Sequence, residues 1–168
     1  MKPWLRLILV TMTVGGGFCG VAITFENIIN SRTNLALLLV NILFFLLFGF
    51  VAVSGLVFVH DQRRTGLLAA ALITQAPWFS SSVFVYKFFA GFDFVFMIGA
   101  PKSPGTIGIG FNFEMLLGSS YRFDVLTDQP WRIGLNFVPL VLLVLLFKAR
   151  NHRNSEEATA EPSRLTAP

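Results

Sequence analysis

The sequence predicts an all-α membrane bundle of four transmembrane helices, with a small three-stranded antiparallel β-meander inserted between helices 3 and 4 on the extracytoplasmic side. Three observations predict it. Hydrophobic residues make up 54% of the 168 residues and charged ones only 13%, too little charge to solvate a globule of that apolarity. The apolar residues gather into four long runs separated by charged loops, and about 20 helical residues cross a hydrocarbon layer of roughly 30 Å. Between the third and fourth runs the apolar period falls to two, as strands require.

The first span covers residues 4–25, behind Lys2 and Arg6. A secretory signal is the competing reading, since Gly20-Val21-Ala22 supplies small residues where a peptidase needs them. The length of the run and the close-packing pair Gly16 and Gly20 favour a retained helix packed within the same chain. Cys19, the single cysteine, excludes an internal disulfide framework and reads as packing. The second span, 35–59, holds one strongly polar side chain, Asn41, which is expected to face inward and hydrogen-bond between helices. The third span, 66–86, contains Pro77, whose missing N–H should kink it near mid-bilayer. Around that kink Gln75, Pro77, Trp78 and Ser81 form a candidate ligand pocket; a proline kink repaired by its neighbours is the plainer account. The fourth span, 131–148, starts at Trp131, an interfacial anchor like Trp4. Residues 150–168 are polar and read as a disordered cytoplasmic tail.

Charge orients the spans. With the N-terminus inside, Lys2, Arg6, Arg63, Arg64, Lys148, Arg150, Arg153 and Arg164 share one side with Asp61, Glu156, Glu157 and Glu161. The other side balances five bases with five acids, so the whole net charge of +4 lies inside, as positive-inside threading requires. The basic pI therefore implies no nucleic acid. Both termini are expected in the cytoplasm of a multi-pass protein of a cell membrane, of bacterial inner-membrane type.

The meander covers residues 88–126. Phe88, Ala90, Phe92, Phe94, Phe96 and Ile98 alternate with Phe89, Gly91, Asp93, Val95 and Met97; Ile107, Ile109, Phe111, Phe113, Met115 and Leu117 alternate with Gly108, Gly110, Asn112 and Glu114. A turn through Ala100–Gly105 would set Phe96 opposite Ile109, Phe94 opposite Phe111 and Phe92 opposite Phe113. A second turn at Gly118-Ser119-Ser120 would pair Leu117 with Tyr121 and Met115 with Phe123. Asp93 falls on the polar face, where an ordinary ionised carboxylate is expected. So aromatic a face, carrying Phe92, Phe94, Phe111, Phe113 and Phe123, cannot stay in water and is the candidate partner surface.

The sequence carries no HExxH, GxSxG or Walker loop, and His60 and His152 lie beside arginines, which disfavour metal binding. No catalytic residue, metal site or cofactor is predicted. The expected function is that of a noncatalytic structural or accessory membrane protein, which binds a membrane or extracytoplasmic protein partner through the aromatic sheet. Membrane lipid is its other expected contact. The alternatives are a lipid- or small apolar ligand-binding protein and a subunit of an oligomeric transporter or channel.

Overall fold

The computed structural model describes residues 2–31, 34–100 and 109–165, with side chains as far as Asn151. Helix α1 covers Pro3–Asn30 and α2 covers Leu35–His60; a short α3 covers Thr65–Thr74 and α4 covers Phe137–Leu165. Four strands lie between α3 and α4: β1 Pro77–Ser80, β2 Phe84–Gly99, β3 Gly110–Val125 and β4 Arg132–Asn136. Among the described residues, two of the four helices are long and apolar enough to cross a membrane. The expected bundle of four membrane spans with a three-stranded meander is therefore corrected to two long apolar helices, two further helices and a four-stranded antiparallel sheet.

Local chemistry accounts for each long helix. Pro3 stands in the first turn of α1, where its missing N–H costs nothing. Asn34 caps α2, its Oδ1 accepting from Leu37 N at 3.1 Å. The two helices run antiparallel and close together, because a side chain at Gly20 would collide with the Phe48 ring. A π turn at Thr11–Gly15 interrupts α1 where β2 crosses it.

The third span stops early for a reason visible in the sequence. Pro77 disfavours helix at the residue before it and cannot donate to the preceding turn, so α3 ends at Thr74. Gln75 seals that end: Nε2 donates to Ala71 O at 2.9 Å, and Oε1 accepts from Ala90 N of β2 at 2.9 Å. The chain continues as β1 instead of as a kinked helix. The fourth helix likewise begins at Phe137, since the segment after Trp131 is drawn into β4. Asn136 caps α4, accepting from Val138 N at 3.1 Å. The α4 backbone stays helical to Leu165, through most of the segment read as a tail.

Sheet order is β1-β4-β2-β3, and β1 also pairs with β2. β4 pairs β1 through Pro77↔Leu135 to Ser80↔Arg132, and pairs the far end of β2 through Val95↔Asn136 to Gly99↔Arg132. The near end of β2 returns to β1 through Phe79↔Tyr86 and Ser80↔Val85. These three strands close on one another, and β3 runs beside β2 along its whole length, from Phe84↔Val125 to Gly99↔Gly110. Hence Gly118-Ser119-Ser120 is not a turn, and the pairing of Leu117 with Tyr121 does not form. Phe96 faces Phe113, Phe94 faces Met115 and Phe92 faces Leu117. The connection expected at Ala100–Gly105 falls largely on residues 101–108, outside the described residues.

Two cores stack along the helix pair. Leu5 and Leu9 of α1, Phe58 of α2, Leu68 and Leu72 of α3, and Leu142 and Leu146 of α4 make the first, near the end that carries Lys2, Arg6, Arg63 and Arg64. Phe44, Phe48 and Val51 of α2 make the second with Ala71, Phe88 and Ala90. Helices thus pack on helices at the basic end, and the sheet packs on α1 and α2 beyond it.

Candidate functional site

The site is built on two glycines. Gly91 of β2 and Gly118 of β3 are direct partners, and both have positive φ, 99° and 124°. Side chains rarely tolerate that conformation, so the two strands bend together at this pair. The bend divides the hairpin into an inner arm, residues 84–90 with 119–125, and an outer arm, residues 92–99 with 110–117.

The inner arm lies on the helices. A Cβ at Gly16 of α1 would collide with Gly91 N and Ala90 C, so the two backbones touch. Ser119 Oγ donates to Gly16 O at 2.6 Å. The Phe44 ring stacks on Tyr121 at 4.5 Å, and the Phe48 ring lies 4.8 Å from Phe88, a geometry aromatic rings favour. Tyr86 donates to Thr74 O at 3.0 Å, and burial pushes its phenol up from the ordinary value. Phe123 packs against this core, so it belongs to the seat of the sheet and not to the outer patch.

A polar chain fixes the top of the seat. Asn27 donates to Tyr121 Oη at 2.8 Å, Tyr121 donates to Asn41 Oδ1 at 2.6 Å, and Asn41 donates to Ser31 Oγ at 2.8 Å. Asn41 is buried and faces inward as its residue type requires. Beside this chain, and lined in part by its Asn27, Ser31 and Asn41, opens a cleft of about 360 Å³ whose other walls are Ile23, Leu37 and Val40 of the helices and Ser119 through Asp124 of β3. Arg122 and Asp124 pair at its edge, 2.6 Å apart.

The bend folds the polar face inward. Lys87, before Gly91, reaches across to Asp93, Nζ to Oδ2 3.1 Å, and to Glu114 of the outer arm at 2.5 Å. The contact with Asp93 is an ion pair, not an aligned hydrogen bond. Asp93 is 1% exposed, and burial raises its carboxyl above the ordinary range; Lys87 opposes that rise and Glu114 adds to it. The expectation of an ordinary solvated carboxylate is corrected, because the polar face is the inside of a folded sheet.

The aromatic face of the outer arm consequently points outward. Phe111 is 67% exposed, Phe113 64% and Leu117 83%, with Phe94, Met115, Ile133 and Leu135 exposed beside them. Phe96 stacks on Phe111 at 6.0 Å and lies 5.0 Å from Phe113, which makes one aromatic surface of the three rings. Of the predicted partner residues, Phe94, Phe111 and Phe113 stand on this surface and Phe92 is half-buried at its inner margin.

The four pocket residues sit elsewhere. Gln75 is satisfied at the end of α3, Pro77 and Trp78 pair with Leu135 and Gly134, and Ser81 turns β1 into β2 by accepting from Val83 N and Phe84 N at 3.2 Å. None of them lines the cleft. Sequence reasoning missed both the cleft and the Lys87–Asp93–Glu114 cluster; the available signal was a lysine and an acid on one strand face, separated by a glycine. No family model matches the chain, and no curated protein or solved structure matches it either.

Proposed function

We propose that this is a noncatalytic membrane protein, anchored by α1 and α2, that docks a protein partner on the aromatic face of its outer arm. The single observation that carries the reading is the inverted sheet. Of its charged side chains, Lys87, Asp93 and Glu114 join in the fold of the sheet and Arg122 and Asp124 pair at the cleft edge, while Phe94, Phe111, Phe113 and Leu117 are turned outward. A water-facing sheet has the opposite arrangement, and contiguous exposed apolar surface of this kind marks a protein or membrane contact. Covering each large apolar side chain contributes about 1.5–3 kcal/mol.

Membrane placement rests on the helices and the charge. Each long helix is apolar enough to span, and the bases Lys2, Arg6, Arg63 and Arg64 gather at one end, where Arg6 Nη2 donates to Val59 O at 3.1 Å. That end is cytoplasmic by the positive-inside rule. The 10 residues of α3 rise about 15 Å, half a hydrocarbon layer, so the chain enters beside the spans, turns through the sheet and returns by α4. The aromatic arm then lies toward the extracytoplasmic side.

A mild crosslink in native membranes, followed by affinity capture of the tagged chain, tests the reading. The wild type is expected to bring down a stoichiometric protein partner, and the Phe94→Asp/Phe111→Asp variant to lose it while still inserting and folding. Recovery of lipid alone by both forms would reject protein docking in favour of lipid binding.

A further inference from the structure

The docking reading leaves the partner unnamed, and the free edge of β3 identifies it. β3 has one neighbour in the sheet, β2, so among the described residues no strand lies beside the other edge of its 16 residues. Such an edge is a template for a further strand. Ser119 through Asp124 line the cleft in unbroken succession. A wall made by one face of a strand would contribute alternate residues only, so this wall is the strand's edge. The helix wall opposite it is mixed, with Ile23, Leu37 and Val40 beside the polar Asn27, Ser31 and Asn41. The cleft therefore suits an extended segment that alternates apolar and polar side chains. Residues 111–117 are such a segment, with Phe111, Phe113, Met115 and Leu117 on one face and Asn112 and Glu114 on the other.

We propose that the occupant is a second copy of this chain, the two β3 strands pairing antiparallel about a two-fold axis at Gly118, with each outer arm seated in the other's cleft. The proposal rests on the docking reading and names its partner. Charge sets the register. An axis at Gly118 places Glu114, which also binds Lys87 of its own chain, opposite the partner's Arg122, and Asn112 opposite the partner's Asp124, so that two existing ion pairs join into one network, twice over by symmetry. A two-residue slip one way apposes Glu114 with Asp124; a slip the other way leaves Glu114 against Ser120. On the opposite face the same axis sets Phe113 against Phe123 and Met115 against Tyr121, under the Ile23, Leu37 and Val40 wall. The bend falls at Gly118 itself, so the two strands bend at one point and stay in step.

Cysteine pairs test the register directly. Full-length Cys19→Ser chain is prepared in detergent as two tagged populations, one with Leu116→Cys and one with Ser120→Cys, which are mixed, reconstituted together into nanodiscs that hold two copies, and oxidised. Positions 116 and 120 are directly opposite, within disulfide reach; two copies of position 116 are separated by about 13 Å and are not. The expected result is a covalent dimer carrying both tags, and no dimer from Leu116→Cys alone. Arg122→Glu is expected to weaken the dimer about tenfold, read by light scattering. Asn112→Arg is expected to tighten it by a similar factor, which keeps the test open should Arg122→Glu fail to fold. A mixture that remains monomeric, or that links position 116 to itself, overturns the proposal. A crosslink from the arm to a different protein also overturns it but leaves the docking reading standing, whereas lipid alone at the arm rejects both.

Discussion

The two arms of the bent hairpin share one alternation of apolar and polar residues and meet opposite surroundings. On the inner arm the even-numbered face of β2, Tyr86, Phe88 and Ala90, lies on α2 and α1. On the outer arm the same face, Phe94 and Ile98, together with Phe111, Phe113 and Leu117 of β3, is exposed. Between them, Gly91 and Gly118 turn the opposite face of both arms, odd-numbered on β2 and even-numbered on β3, into a shared interior that holds Lys87, Asp93 and Glu114. A period of two states which side chains lie together; it does not state which group faces solvent. The inner arm is held by packing and the outer arm by its charges, so each should fail to a different substitution.

The largest effect is expected at the ion cluster. Lys87→Met leaves Asp93 buried without a counter-charge and should cost about 3–5 kcal/mol, measured by denaturant unfolding in detergent. A loss below about 1 kcal/mol would mean that the arms are not tied together through Lys87. Next comes the seat: Gly16→Val drives a side chain into the Ala90 and Gly91 backbone and should cost about 3 kcal/mol. Gly49→Ala, where a Cβ meets nothing within 4 Å, should change stability by less than about 1 kcal/mol. Equal effects at the two glycines would dissolve the claim of direct backbone contact.

Tyr121→Phe removes the hydroxyl that joins Asn27 to Asn41 and should cost about 1–2 kcal/mol. The pH dependence of the cluster has a definite sign. Asp93 has a raised pKa in the fold, so the folded state holds this proton more tightly than the unfolded chain does. The stability it contributes is full below the ordinary carboxylate pKa and is lost as pH rises through the raised value. The Tm advantage of the wild type over Asp93→Asn should therefore shrink as pH rises through that window. A difference that is flat or grows with pH would assign the proton elsewhere. The smallest stability change is expected at the exposed ring: Phe113→Ser should cost less than about 1 kcal/mol while abolishing partner capture.

Much of the sheet was legible in the sequence because burial imposes a parity. The pairing Phe96 with Ile109 is displaced to Phe96 with Phe113, a slip of four residues, and an even slip leaves every side chain on its face. Gly118-Ser119-Ser120 read as a turn because its residues suit turns. Its opposite number, Gly91, makes it a bend instead, and that pairing is fixed only by the long-range register. The stretch Trp78–Tyr86 sets three serines among aromatic and β-branched residues, a composition that does not separate a kinked span with its polar repair from a helix end followed by a strand. Residues 132–136 failed similarly: a helix start and an apolar strand look alike until β1 supplies the partner. The inward-facing Asn41 was readable, since an amide in an apolar helix must find a bond. Its partner Tyr121 was not, because nothing local connects the two.

The most direct test of the account compares the arms in one experiment. A photoreactive phenylalanine is placed at position 113 of the outer arm or at position 86 of the inner arm, and native membranes are irradiated before the tagged chain is recovered. An intermolecular protein adduct is expected from position 113, and from position 86 only crosslinks within the chain to α2 or α3. Intermolecular adducts of equal yield from both positions, or none from position 113, would contradict it.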